Sequence, residues 1–488
     1  MKRVAIIGAG IAGIASAVRL SAKGYNVDVF EANRYAGGKL TDFKLGGFRF
    51  DAGPSLFTLP SLIDELFVYS KKKPKSYFQY LQKDVICQYF YADGTHLTAW
   101  SDVDRFAEEV EQKLKIPKQR VTKYLNRSEQ KYNLTKGLFL EKSLHKYSTY
   151  FSKDTIKGIV NLFKLDIFKT LNQTNEDFFQ NDKLVQLFNR YATYNGSNPY
   201  ETPGIMSMIP HLEFGIGTYF PTKGMSSITN SLVKLAKENG AKFHFGKKVT
   251  AINHTNSKVE GIQLEGKNQS YDLVISNMDI VPTYRHLLKK VKHPEKVLNQ
   301  PRSSSALIFY WGIKGTFSQL DLHNILFSKN YKKEFDELFQ KKTIHDDPTV
   351  YINITSKEKS DDAPLGCENW FVMINTPPNE GQDWDTLIKS AREKVIEKIN
   401  RTLKVDIEKL IIKEEILDPR EIELKTSSYQ GALYGASSNN RNAAFLRHAN
   451  FSSLKGLYFV GGSVHPGGGI PLCLLSAKIT TNLILNSN

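Results

Sequence analysis

The run Gly8-Ala9-Gly10-Ile11-Ala12-Gly13 carries a G-x-G-x-x-G spacing in a setting where that spacing can bind a phosphate. The apolar run Val4 to Ile7 before it reads as a buried parallel strand. Ile11 to Lys23 after it sets Ile14, Val18 and Leu20 among small residues and reads as a helix that stops at Gly24. In such a strand–turn–helix unit Gly8 permits the tight turn, Gly10 lets the backbone approach a pyrophosphate, and Gly13 lets helix and strand pack closely. The helix N-terminus at Ile11 and Ala12 presents unpaired N–H groups and partial positive charge. Tyr25 to Phe30 reads as the second strand, and Glu31 closes it. A carboxylate there accepts hydrogen bonds from a ribose 2′-hydroxyl and repels a 2′-phosphate, which points to FAD or NAD rather than NADP. A glycine turn without a ligand is the competing reading of the six residues alone.

The turn does not separate FAD from NAD. Further glycine runs bear on that choice. Glu31-Ala32-Asn33-Arg34-Tyr35-Ala36-Gly37-Gly38-Lys39 puts a glycine pair just after the acid, and Asp51-Ala52-Gly53-Pro54-Ser55 adds another turn. Near the C-terminus Leu457-Tyr458-Phe459-Val460-Gly461-Gly462-Ser463 reads as a strand entering a glycine turn. It continues through His465-Pro466-Gly467-Gly468-Gly469-Ile470-Pro471 into a helical tail, Leu472 to Leu485.

Together these runs resemble the carotenoid desaturases of the bacterial phytoene desaturase type, within the wider amine-oxidase-like flavoproteins. The resemblance covers essentially the whole chain. It includes Asn198-Pro199-Tyr200, Phe220-Pro221-Thr222-Lys223-Gly224-Met225 and Asp272-Leu273-Val274-Ile275-Ser276-Asn277, and its most specific part is Ser463 to Pro471. It implies an α/β fold: a Rossmann-like FAD-binding domain, an inserted α+β substrate domain and a helical, membrane-facing lobe. It implies non-covalent FAD, with the ADP half on Gly8, Gly10, Ile11, Ala12, Gly13, Glu31 and Ala32. Gly38, Lys39, Gly53, Pro54, Ser55 and Asn277 would add contacts. Gly462 and Ser463 would lie near the flavin, and Gly469, Ile470 and Pro471 would lead into a helix aimed at the isoalloxazine ring. A helix N-terminus suits the negative charge that a reduced flavin carries near N1. Val249 either reaches the adenine side through its backbone or is a plain core valine. Cys473 reads as a small helix residue, not a covalent flavin link.

The activity so implied is the introduction of a C=C bond conjugated to a polyene, by hydride transfer to flavin N5. Positive charge left by hydride loss spreads over the polyene, so the protein chiefly positions the substrate carbon in a dry tunnel. The resemblance places Phe188-Asn189-Arg190-Tyr191 near the flavin. Relatives offer an acidic or imidazole group there; this chain has Arg190 and Tyr191. They are either catalytic, or Arg190 is an ion-pair partner and Tyr191 a wall residue. His465 is either catalytic or a brace for its loop. Gly467 to Leu472 is more similar to hydroxycarotenoid 3,4-desaturases than to phytoene desaturases, which commonly carry alanine at the Gly468 position. That favours a 1′-hydroxycarotenoid, such as 1′-hydroxy-γ-carotene, as substrate. Phytoene or a C30 carotenoid is the alternative within the family. A flavin amine oxidase, a carotenoid isomerase or a flavin-bearing binding protein stand further off.

The elements that must position these residues come from both ends of the chain. The spacing predicts a discontinuous FAD-binding domain over 1–70, 221–285 and 445–488, and a substrate-binding domain over 71–105, 186–220 and 286–444. A helical membrane-associating lobe is expected over 106–185. Lys71 to Lys183 as a whole, poor in glycine and rich in Lys, Phe, Tyr and Leu, reads as a helical insertion. Phe243 to Ile252, Val259 to Leu264, Leu273 to Ser276, Ala306 to Trp311 and Trp370 to Asn375 read as strands, and Asp385 to Leu403 as a helix.

Composition bounds the partners. The 488 residues carry 66 Lys and Arg against 50 Asp and Glu, a net charge of +16. That favours anionic surfaces or simply solubility, and no nucleic-acid signature accompanies it. Three scattered cysteines fit a reducing compartment and no disulfide framework. No zinc-spaced ligand set occurs, and the apolar start is read as the glycine unit, not a cleaved signal. Lys146, Tyr147, Tyr150, Phe151, Lys153, Lys157, Phe163, Lys164, Phe168 and Lys169 set basic beside aromatic residues. They suit an interfacial helix or a core-facing stripe with a solvated edge. The expectation is peripheral attachment on the cytoplasmic side of a membrane, from which the carotenoid is drawn. Oligomeric state and terminal electron acceptor leave no mark in the sequence.

Overall fold

The computed structural model describes residues 2–137, 142–146, 161, 165–439 and 447–487. Its first layer is a five-stranded parallel sheet in the order Leu457–Phe459, Leu273–Ser276, Arg3–Ile7, Asn26–Glu31, Lys242–Phe245. Two-sided burial explains the unbroken apolar runs. Val4 and Ile6 pair with Val27 and Val29 and pack on the helices Ile11–Ser21, Ser226–Glu238 and Ile470–Leu485. Ala5, Ile7 and Phe30 face the other way, toward Val249, Ile252 and Ile262. Those belong to an antiparallel ribbon, Val249–His254, Val259–Leu264 and Lys267–Ser270. The expected single strand Phe243 to Ile252 is therefore two. The chain turns at Gly246, whose φ of 66° is open to glycine, and the halves join different sheets.

The second sheet has seven strands: Ile411–Leu417, Ser305–Lys314, Cys367–Thr376, Val350–Ile354, His323–Leu326, Val85–Phe90 and His96–Trp100. Its second strand, Ser305–Lys314, alternates. Leu307, Phe309, Trp311 and Ile313 pack with Val395 and Ile399 of the helix Trp384–Leu403. Ile308 and Tyr310 point to the other face, beside Phe48, Phe50 and Phe371. Burying each large apolar side chain contributes roughly 1.5–3 kcal/mol. The alternation thus fixes which face meets the helix and which is left for the site.

The start of the expected helical insertion is not helical. Tyr80–Gln82, Val85–Phe90 and His96–Trp100 are strands, and only from Val103 do the helices Val103–Leu114, Lys118–Thr135 and Leu171–Phe179 follow. The aromatic and β-branched run at Val85 favours a strand locally and pairs with one far along the chain, Tyr89 against Ile325, within a stretch whose overall composition reads as helical. Of the basic and aromatic stripe, Lys146, Phe168 and Lys169 are described, and the other seven residues lie outside the described ones. Phe168 is 60% exposed.

Candidate cofactor and substrate site

The glycine turn closes as its spacing requires. Gly8 has a φ of 96° and donates its N–H to the Phe30 carbonyl at 2.8 Å. A Cβ at Gly10 would lie 2.7 Å from Asn277 Oδ1, and one at Gly13 would collide with the Gly8 carbonyl oxygen. Gly10 is the N-cap of the helix Ile11–Ser21 and supplies no side-chain cap. The N–H groups of Ile11 and Ala12 in its first turn have no intrahelical partner, and Gly8, Gly10, Ile11 and Ala12 line one large cavity. Gly13 is not among the lining residues; it packs behind the turn.

Asn277 ties this turn to the far end of the chain. Its Oδ1 accepts the Gly13 N–H at 3.0 Å, and its Nδ2 donates to the Val460 carbonyl at 3.2 Å. Glu31 is buried at the end of its strand and accepts from Ala9 N–H at 2.7 Å and Asn33 N–H at 2.9 Å. Glu31, Ala32 and Val249 line the same cavity. Gly38, Lys39, Gly53, Pro54, Ser55 and Asn277 line its middle course, and Gly462, Ser463, Gly469, Ile470 and Pro471 come in from the C-terminal motif. Asp51 braces the loop before Ser55 by accepting from Arg49 at 2.7 Å and from the Met225 N–H at 3.0 Å.

The charges at this end suit an anionic group. Lys39 Nζ donates to the Leu433 carbonyl at 3.1 Å, Arg302 Nη2 to that of Leu298 at 3.1 Å, and Arg447 Nη1 to that of Tyr434 at 2.6 Å. Asp279 is the carboxylate all three feel. Burial pushes Lys39 down, Arg447 down to about 10, and Asp279 up. Lys39 and Arg447 on the lining, a glycine cradle that excludes Cβ atoms and a helix N-terminus whose own N-cap is a glycine fit the diphosphate and flavin of FAD. Arg447 escaped the sequence reading because its partners, backbone carbonyls, leave no pattern.

His465 has its Nε2 on the Lys142 carbonyl at 2.8 Å, and its own carbonyl accepts from Asn450 at 2.8 Å. It braces the C-terminal motif. Burial first, then the neighbouring His145 and Arg447, push it down to about 4, so the ring is neutral.

Beyond the cofactor end the cavity, about 1560 Å³ in all, continues between the second sheet and the helices. Ile86, Met206, Ile209, Ile325, Phe371 and Met373 line this part. Arg190 is in the wall. Its guanidinium donates to Tyr89 Oη at 2.8 Å and Glu213 Oε2 at 3.1 Å and lies 4.4 Å from the Tyr191 ring centroid. Tyr191 is fully buried, is not among the lining residues, and donates its hydroxyl to Glu213, as does Tyr194. Ser55, Tyr351 and His323 form a second polar set, Ser55 Oγ to Tyr351 Oη at 2.8 Å and Tyr351 Oη to His323 Nδ1 at 2.7 Å. Sequence reasoning missed Tyr351 and His323. Polar residues alternating with apolar ones on short strands are an ordinary edge pattern.

Residues 11–485 match the family of flavin containing amine oxidoreductases. The chain is 58% identical, over the full length of both, to a 1-hydroxycarotenoid 3,4-desaturase of Flavobacterium sp. (strain P99-3). It is 30% identical to a 4,4′-diaponeurosporene oxygenase of Staphylococcus haemolyticus (strain JCSC1435), over 98% of this chain and 96% of that one. Among solved structures, putrescine oxidase bound to putrescine aligns over 99% of both chains with a TM-score of 0.64 at 12% identity. An oxidoreductase from Methanosarcina mazei aligns over 99% of this chain and 100% of its own, with a TM-score of 0.62 at 17% identity; these two share the fold. The helix that starts after Gly10, the cavity lined by Lys39 and Arg447, and these matches converge: the chain belongs to the flavin containing amine oxidoreductase family and is an FAD-dependent oxidoreductase.

Proposed function

We propose that the protein is a carotenoid desaturase that introduces the 3,4 double bond of a 1-hydroxycarotenoid. The observation that carries this reading is the shape of the cavity. Its volume of about 1560 Å³ takes in the cofactor's site and a further chamber together. It runs from the dinucleotide cradle into an apolar chamber suited to a long polyene. The Flavobacterium relative acts, by its name, on such a substrate.

The chemistry that bound FAD supplies is two-electron acceptance of a hydride from carbon. The chain's own residues do the rest. Phe371, Met373 and Ile325 on the sheet face, opposite Met206 and Ile209, hold the polyene and keep water out. Asn277 and the helix starting at Ile470 fix where the cofactor lies. Glu213 is occupied by three donors and serves the wall. Charge delocalised over the polyene makes the neighbouring proton acidic, so a weak acceptor suffices.

A carotenoid is supplied from a bilayer, and we read the protein as a peripheral membrane enzyme on the cytoplasmic side. The net charge of +16 and exposed Phe168 beside Lys169 support this. No helix among the described residues is long and apolar enough to cross a membrane.

The test is incubation of the FAD-loaded protein with a 1-hydroxycarotenoid in liposomes. A red-shifted product with one more conjugated double bond is expected. Cis-peak changes alone, or peroxide release with an amine, would replace the reading by an isomerase or an amine oxidase.

A further inference from the structure

The chamber wall is apolar except at a few points, and the Glu213 point is closed by its own donors. His323 is different. It opens the strand His323–Leu326, is 3% exposed and lines the cavity. Asn353 Nδ2 donates to the Leu322 carbonyl at 2.9 Å, which fixes that amide's orientation, and the same nitrogen lies 3.2 Å from His323 Nδ1. Tyr351 Oη lies 2.7 Å from Nδ1 as well. With donors on both sides, Nδ1 accepts and Nε2 carries the proton. Nε2 has no hydrogen-bond partner among the described residues. An unpaired donor in a chamber that excludes water is costly, and it marks a place where a ligand brings the acceptor.

Resting on the desaturase reading, we propose that His323 Nε2–H donates to the hydroxyl oxygen of the carotenoid, and that this bond sets which carbons face the flavin. The relative's name puts the hydroxyl on carbon 1 and the new double bond between carbons 3 and 4. Carbons 1 and 3 of a saturated chain are only about 2.5 Å apart. A hydroxyl anchor therefore has to lie beside the reacting bond and the cofactor. His323 meets that condition through Tyr351, which reaches Ser55 in the loop lining the cofactor end. Tyr351 and Asn353 are positioning residues: they hold the ring so that Nε2 is the donor. Burial keeps the imidazole neutral, pushed down to about 3, so the anchor brings no charge into an apolar chamber. A site built to bond a hydroxyl also rejects the analogue that lacks it, because the buried donor is left unpaired.

The holoenzyme is given, in liposomes, a 1-hydroxycarotenoid and the carotenoid of the same skeleton without the hydroxyl. The ratio of kcat/KM between them is read from product absorbance, and the bond formed from the product's mass and NMR spectra. The wild type is expected to favour the hydroxylated substrate by at least about tenfold, and His323→Leu to bring the ratio below about threefold with mixed product positions. His323→Gln, which keeps an N–H near the Nε2 position, should recover part of the ratio. A ratio unchanged in His323→Leu overturns the inference and leaves the desaturase reading standing. A wild type inert toward both carotenoids overturns the desaturase reading, and this one with it. If His323→Leu fails to hold flavin, His323→Phe, which keeps a ring but has no N–H, is read in the same assay, and a wild-type ratio there overturns the inference.

Discussion

The Gly13 N–H donates to Asn277 Oδ1 at 3.0 Å across 264 positions of sequence. The same Asn277 donates to the Val460 carbonyl, so one side chain joins the first glycine turn to the strand before the last. The cofactor cradle is therefore shaped by three distant segments held in register.

That register predicts the result of filling the turn. Gly13→Ala would drive a Cβ into the Gly8 carbonyl oxygen, and relief requires the turn to open. We expect the Kd for FAD to rise at least about tenfold, ~1.4 kcal/mol. Titration of apoprotein with FAD, followed by flavin fluorescence, measures it. Gly24→Ala is the control: a Cβ there meets nothing within 4 Å. Its positive φ of 82° costs stability without touching FAD affinity.

Arg190 and Tyr191 separate by where their side chains end. Tyr191→Phe takes one donor from buried Glu213 and is expected to cost about 1–3 kcal/mol of stability. The rate of flavin reduction in a single turnover should stay unchanged, because Tyr191 is not among the residues lining the cavity. Arg190→Met leaves the Glu213 carboxylate buried without its cation, with an expected loss of about 3–5 kcal/mol. Thermal melts and stopped-flow reduction by substrate check both; a slowed reduction in Tyr191→Phe would put its hydroxyl in the chemistry.

The glycine turns at the two ends of the chain were legible because backbone sterics leave glycine few substitutes there. The parallel strands were legible because two-sided burial writes continuous apolar runs. The strand at Val85 was not, since its pairing with His323–Leu326 is long-range and its short strand-forming run sits in a lysine-rich, glycine-poor stretch that reads as helical as a whole. His323 was hidden for a related reason. Its meaning depends on Tyr351, Asn353 and Ser55, which only the assembled sheet brings together. Spacing along one strand cannot express a hydrogen bond that lacks a partner.

Acid should unfold the protein through its buried imidazoles. His448 and His465 are each pushed down to about 4, chiefly by burial. An unfolded histidine titrates near 6.5, so between about 6.5 and 4 the unfolded state binds protons that the folded state refuses. Stability is full above about pH 6.5 and falls as pH drops toward 4, by on the order of 3 kcal/mol per histidine. Thermal midpoints from pH 7.5 to 4.5 should fall for the wild type and fall less steeply for His448→Gln. An equal slope in the variant would assign the acid loss to other groups.

The proposed membrane attachment rests on charge, on the exposed aromatic and on the insolubility of carotenoids. The excess of 66 basic over 50 acidic residues attracts an anionic surface, and a bilayer buries the Phe168 ring that water leaves 60% exposed. The two terms separate by salt, because charge attraction is screened within about 10 Å at 0.1 M ionic strength while burial of an aromatic ring is not. We expect the holoenzyme to co-float with anionic liposomes at low salt, and to co-float less, without full release, at high salt. Phe168→Ser should weaken the fraction that survives high salt and leave the salt-sensitive fraction in place. No co-flotation of the wild type at low salt would sink the peripheral reading, and the carotenoid would then have to be delivered by a carrier.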